Sequence, residues 1–110
     1  MKKPENIDFQ LIITIVNRGQ CGLVIDASKE AGAEGGTIIS GRGSGVHEKA
    51  KLFSFTIEPE KEIILTLVPS DRTETVLEAI VNASHLNEPG NGIAFVLDVE
   101  DVTGINHLIE

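Results

Sequence analysis

What most constrains this chain is that it repeats itself. Laid over itself at an offset of 52 residues, the sequence sets Val16 on Val68, Val24 on Val76, Ile25 on Leu77, Ala27 on Ala79 and Ala31 on Ala83. Both halves run through the same succession of patterns. In the first, Gln10 to Val16, "QLIITIV", is a nearly continuous β-branched run bounded by Asn17 and Gly19, which predicts a buried strand. Cys21, Val24, Ala27 and Ala31 then fall at three- and four-residue spacing, so a helix is predicted over Gln20 to Ala31, stopped by Gly32. A second strand follows at Thr37 to Ser40.

In the second half, Glu62 to Val68, "EIILTLV", predicts a strand, and Pro69-Ser70-Asp71 a turn whose side-chain oxygens suit a helix cap. Thr73, Val76, Leu77, Ile80, Val81 and Ser84 make the stripe of an amphipathic helix, with Asp71 and Glu74 at its positive end. Leu86 to Gly92 reads as a loop and Ile93 to Val99 as the last strand. Two strand-helix-strand units with right-handed crossovers and a hairpin link form an α+β sandwich, a four-stranded antiparallel sheet with both helices on one face. Three of the strands are apolar on both alternating faces. The second sheet face therefore needs cover as well, and self-association supplies it most simply.

At 110 residues the chain suits a single domain, 1–110, with one core. No apolar run reaches the ~18 residues of a membrane helix, so no membrane insertion is expected. Met1 to Glu5 lacks the apolar stretch of a secretory signal, and the expectation is a cytoplasmic protein. A net charge of −8 repels phosphate backbones, so nucleic acid is not an expected partner. Cys21 is the lone cysteine, which excludes an internal disulfide, and Trp and Tyr are absent.

Between the halves lies "GGTIISGRGSG", residues 35 to 45. Gly41-Arg42-Gly43-Ser44-Gly45 reads either as a nest of backbone N–H groups beside a fixed cation or as a flexible hinge with an exposed arginine. Asn87 to Gly92 has the same two readings, a ligand contact or a tight turn. His47, His85 and His107 are too scattered for a metal site and are expected at the surface. Cys21 starts a helix, where the dipole lowers a thiol pKa, but it also lies on the apolar face as a small packed residue. Glu58, Glu60 and Glu62 alternate as a solvated charged edge. No nucleophile, base and orienting group share a spacing, so an enzyme is not expected.

The ordered set "GGTIISGRGSG", "EPEKEIILTLVPSD", "VLEAIVNAS" and "PGNGIAFVLDVEDV" resembles the P-II family of nitrogen-regulatory signal proteins over roughly residues 8 to 102. The resemblance implies a ferredoxin-like fold, a homotrimer, and a small anionic metabolite or nucleotide bound in a cleft between subunits. It also implies a regulated transporter or enzyme docking on the loop between strands two and three, here residues 43–60. Within that loop "FSFTI" alternates like a short extension of the sheet, leaving "SGVHEKA" as the tip. Carried over position by position, the ligand-binding set is Thr37, Gly41, Arg42, Gly43, Lys61, Gly90, Asn91 and Gly92.

The chain also departs from the family. Nucleotide-binding members hold a lysine where this chain has Ile93 and two arginines where it has Gly104-Ile105-Asn106, and the loop tyrosine that some members uridylylate is missing. Those are the phosphate-pairing cations, so the expectation is weak ATP binding, a ligand of lower charge and no assigned cofactor. Alternative expectations are a binding module for a nucleotide monophosphate, a cyclic dinucleotide or bicarbonate, or a small metal-binding trimer.

Overall fold

The computed structural model describes residues 8–45, 50–52 and 55–105, with backbone alone at 50–52 and 55–57. Strand β1 (Phe9–Asn17), helix α1 (Cys21–Glu30) and β2 (Thr37–Arg42) form the first unit; β5 (Glu60–Pro69), α2 (Thr73–Ser84) and β6 (Gly92–Val99) form the second. Between them β3 (Ala50–Leu52) and β4 (Phe55–Ile57) pair with each other. The main sheet has the order β2-β5-β1-β6, antiparallel throughout. This is the ferredoxin-like βαββαβ sandwich expected from the repeat. The β3-β4 ribbon is a separate sheet rather than an extension of the main one, with Leu52 paired to Phe55, and 46–49 of the expected tip lie outside the described residues.

The repeat is visible as burial. Ile12 and Ile64, Thr14 and Thr66, Val16 and Val68, and Val24 and Val76 are pairs at the same offset, and all eight residues are 0% exposed. The even-numbered strand positions face the two helices and, with Ile80, make the core. The odd-numbered ones, Leu11, Ile13 and Ile15 on β1 with Ile63, Leu65 and Leu67 on β5, carry the other face. On β6 that face continues through Ile93, Phe95 and Leu97, which stand 57%, 40% and 49% exposed, so the second face is apolar and uncovered in the single chain.

Helix α1 ends as its glycine predicts. Gly32 takes φ +110, the Ala33 N–H reaches the Ser28 carbonyl at 2.9 Å and the Gly32 N–H reaches Lys29 at 3.0 Å, which closes the last turn. Helix α2 ends instead on His85 in the left-handed conformation, with φ 53. The expected cap of α2 by Ser70 or Asp71 does not form. Arg72 is the capping position and makes no side-chain cap bond; the turn closes through Arg72 N–H to Pro69 O at 2.9 Å. Among the described residues no helix is long and apolar enough to cross a membrane.

Candidate functional site

Where β2 ends and β5 begins, the register sets Gly41 opposite Lys61 and Arg42 opposite Glu60. Because side chains alternate along a strand, this pairing sends Lys61 to the open, apolar face and Arg42 and Glu60 to the helix-bearing face. A depression lies on each side. One, of about 280 Å³, is lined by Ile15, Ile63, Ile93, Lys61 and Gly92 together with the segment from Arg42 to Gly45. The other, of about 600 Å³, is lined by Arg18, Ser40, Gly41, Arg42, Glu60, Lys61 and Glu62. Arg42 and Lys61 border both.

Lys61 is 8% exposed, and its Nζ donates to Asn17 Oδ1 at 2.6 Å. The Asn17 amide in turn donates to the Gly90 carbonyl at 3.0 Å, which ties the lysine to the loop before β6. Gly92, at φ +138, lets β6 pass against β1: a Cβ there would collide with the Ile15 carbonyl oxygen. On the helix-bearing side, Glu60 lies between two arginines, 2.5 Å from Arg18 Nη1 and 3.6 Å from Arg42 Nη2.

The glutamate alternation is therefore not a plain solvated edge. The Glu62 carboxylate accepts from the Gly19 and Cys21 N–H groups, both at 2.9 Å, and so satisfies the start of α1 from a neighbouring strand. The Cys21 bond holds the Glu62 pKa below its ordinary 4.5. The same contact works against the thiol: burial first, then the Glu62 carboxylate, push the Cys21 pKa above its ordinary value. The helix start thus gives no activated cysteine, because the carboxylate already occupies the positive end of the dipole.

Of the positions expected to bind ligand, Gly41, Arg42, Gly43, Lys61 and Gly92 converge on these depressions, and Gly90 reaches them through Asn17. Thr37 does not. It stands opposite Leu65, four residues along β2 from Gly41 and roughly 13 Å away at the usual strand rise. Asn91 is spent on its own loop, donating to the His85 carbonyl at 2.9 Å and lying 3.4 Å from Glu88 Oε2. Arg18, Asn17 and Glu60 join the site although nothing in the sequence marked them as ligand groups. Each reaches the site through a contact more than forty residues away, which no local pattern encodes. His85 is at the surface beside Glu88, while His47 and His107 lie outside the described residues. Among the described residues no group of three or more His, Cys, Asp or Glu is placed to hold a metal.

Residues 9–107 match the family described as Nitrogen regulatory protein P-II. Nitrogen regulatory protein GlnK2 of Haloferax mediterranei is 30% identical over 103 residues, covering 89% of this chain and 84% of that protein. The crystal structure of Arabidopsis thaliana PII bound to citrate superposes with a TM-score of 0.70 at 26% identity, covering 89% of this chain and 83% of that one.

Proposed function

The chain belongs to the P-II family of nitrogen regulatory proteins, and on that premise we propose that it is a non-enzymatic regulator that binds a small anion at the end of the β2-β5 pair. The observation that carries the reading is the 280 Å³ depression in which Lys61 and the Arg42 to Gly45 segment meet three isoleucines. It lies at the margin of the apolar sheet face. A second and third copy of the chain packed on that face, as a homotrimer, cover Ile93, Phe95 and Leu97 and wall the depression into a cleft between subunits. The anion is a small carboxylate or a nucleotide of low charge, since Ile93 stands where a phosphate-pairing cation is absent. The citrate named with the Arabidopsis relative is a carboxylate of this kind. Residues 43–60 leave the site at Arg42 and return at Glu60, so occupancy acts on the ends of the segment that would meet a transporter or enzyme.

Calorimetry with citrate, AMP and ATP, with and without magnesium, tests this. The expected result is saturable binding of citrate or AMP that is lost in Lys61→Gln, with ATP weaker than either. Tight magnesium-dependent ATP binding would overturn the assignment of a low-charge ligand. Light scattering that shows a monomer at micromolar concentration would remove the cleft itself.

A further inference from the structure

We propose that Glu60 is a built-in anion: it competes with the effector for Arg42 and, while it holds that arginine, clamps the two ends of the 43–60 segment together. The proposal rests on the reading that the depression beside Lys61 takes an anion, and it adds a residue that sets how tightly.

The geometry is a shared carboxylate. Glu60 Oε2 is 2.5 Å from Arg18 Nη1, a close charged hydrogen bond, whereas Oε1 is 3.6 Å from Arg42 Nη2, an ion pair without a hydrogen bond. Arg42 is the loosely held partner, and it is 65% exposed. Such a pair contributes little and is readily exchanged. Arg42 also borders both depressions and sits on the outermost strand, β2, so a guanidinium released by Glu60 on the helix-bearing side can turn about the sheet edge to the anion site on the other. With nine basic residues against seventeen acidic ones, a bound anion recruits a cation already engaged elsewhere.

Arg18 makes the exchange inexpensive. When Arg42 leaves, Glu60 keeps its shorter contact to Arg18, whose backbone N–H also reaches the Glu60 carbonyl at 3.3 Å. No carboxylate is stranded. What is lost is the side-chain half of a double tie between the segment's ends, since Arg42 and Glu60 are a register pair flanked by the Gly43 N–H to Pro59 carbonyl bond at 3.1 Å. Effector occupancy thereby loosens the point where the segment leaves the sheet, and the uncharged backbone bond remains as the hinge.

The test uses the full chain with citrate as the probe. Glu60→Gln should bind citrate about two- to five-fold more tightly than wild type, the factor that matches the loss of one exposed ion pair. Arg18→Gln should weaken binding, because Glu60 then leans on Arg42 alone, and Glu60→Gln combined with Arg42→Gln should lose the gain. Hydrogen exchange at the Gly43 amide should quicken in Glu60→Gln without citrate and in wild type with it. Glu58→Gln is the control for simple removal of negative charge: an equal gain there sinks the proposal. Citrate binding that depends on Arg42 but not on Glu60 also sinks it while leaving the anion site standing. Failure of every variant to bind citrate removes the site and the competition together, and an unchanged Gly43 exchange rate in Glu60→Gln then removes the clamp.

Discussion

The two strand-to-helix turns occupy equivalent places in the repeat, share one backbone frame and differ in the side chains that reach it. Both close through the same local bond, Gln20 N–H to the Asn17 carbonyl at 3.1 Å and Arg72 N–H to the Pro69 carbonyl at 2.9 Å. The β5-α2 turn adds only a backbone contact, Ser70 N–H to the Asp8 carbonyl at 2.8 Å, and Thr73 Oγ1 lying 3.5 Å from the Pro69 oxygen. The β1-α1 turn is held in addition by side chains from another strand, Glu62 on its backbone N–H groups and Glu60 on Arg18. Both carboxylates come from β5. One half of the molecule therefore closes its turn with backbone bonds and its own threonine, and the other adds carboxylates from the strand that also carries Lys61. The teaching is that duplication supplies two equal scaffolds, and the one wired to its neighbour becomes the site.

The sharpest way to break this comparison is at the helices' inner faces. Ile80 of α2 and Ser28 of α1 are equivalent in the repeat and both 0% exposed, but Ser28 spends its hydroxyl on the Ile25 carbonyl at 2.8 Å. Ile80→Ala should cost about 2–5 kcal/mol in denaturant unfolding, and Ser28→Ala only about 1 kcal/mol. Equal losses would mean that the two helices share the core evenly and that the asymmetry is confined to the turns.

Next in size are the turns themselves. Glu62→Gln should cost about 1 kcal/mol, as loss of a helix cap does, whereas Asp71→Ala, with no cap to lose, should stay within about 0.5 kcal/mol. The pH dependence has a definite sign. Since the folded Glu62 pKa lies below the ordinary 4.5, its contribution is complete above that value and is lost as pH falls through the lower folded value. Wild type should therefore lose stability on acidification more steeply than Glu62→Gln. Parallel curves would take Glu62 out of the cap.

The smallest effect tests what the halves still share. Thr14 and Thr66 are equivalent, fully buried, and carry hydroxyls with no hydrogen-bond partner among the described residues. Thr14→Val and Thr66→Val should each be neutral or stabilising by up to about 1 kcal/mol, and by similar amounts. A loss in either would reveal a partner for that hydroxyl.

The division between what was legible in the sequence and what was not follows the same line. The strands and helices could be read because their periods are local; "QLIITIV" and the Thr73 to Ser84 stripe each lie within one element. The end of α1 could be read because Gly32 is itself the signal. The side of the sheet on which a residue works could not be read, since that depends on register. Arg42 and Lys61 look like two cations of one cleft, yet the pairing with β5 sends them to opposite faces. Glu62 looked like an edge residue because its partners, Gly19 and Cys21, meet it only once β1 lies beside β5. The unformed cap at Ser70-Asp71 is the opposite error, a local signal that the turn's own backbone bond made unnecessary.

The strand order β2-β5-β1-β6 also bears on how the chain can reach this state. Each half contributes one inner and one outer strand, and its own two strands are never neighbours. Neither half alone can pair its backbone, so neither offers a partly finished sheet on which the other could grow. The central pairing joins Phe9 to Pro69 and Asn17 to Lys61, contacts between residues far apart in the chain that must close a long loop before this ladder forms. Folding should accordingly be slow for a domain of this size and all-or-none across the halves. Two fragments cut between β2 and β5 should remain unstructured apart and gain their sheet only on mixing.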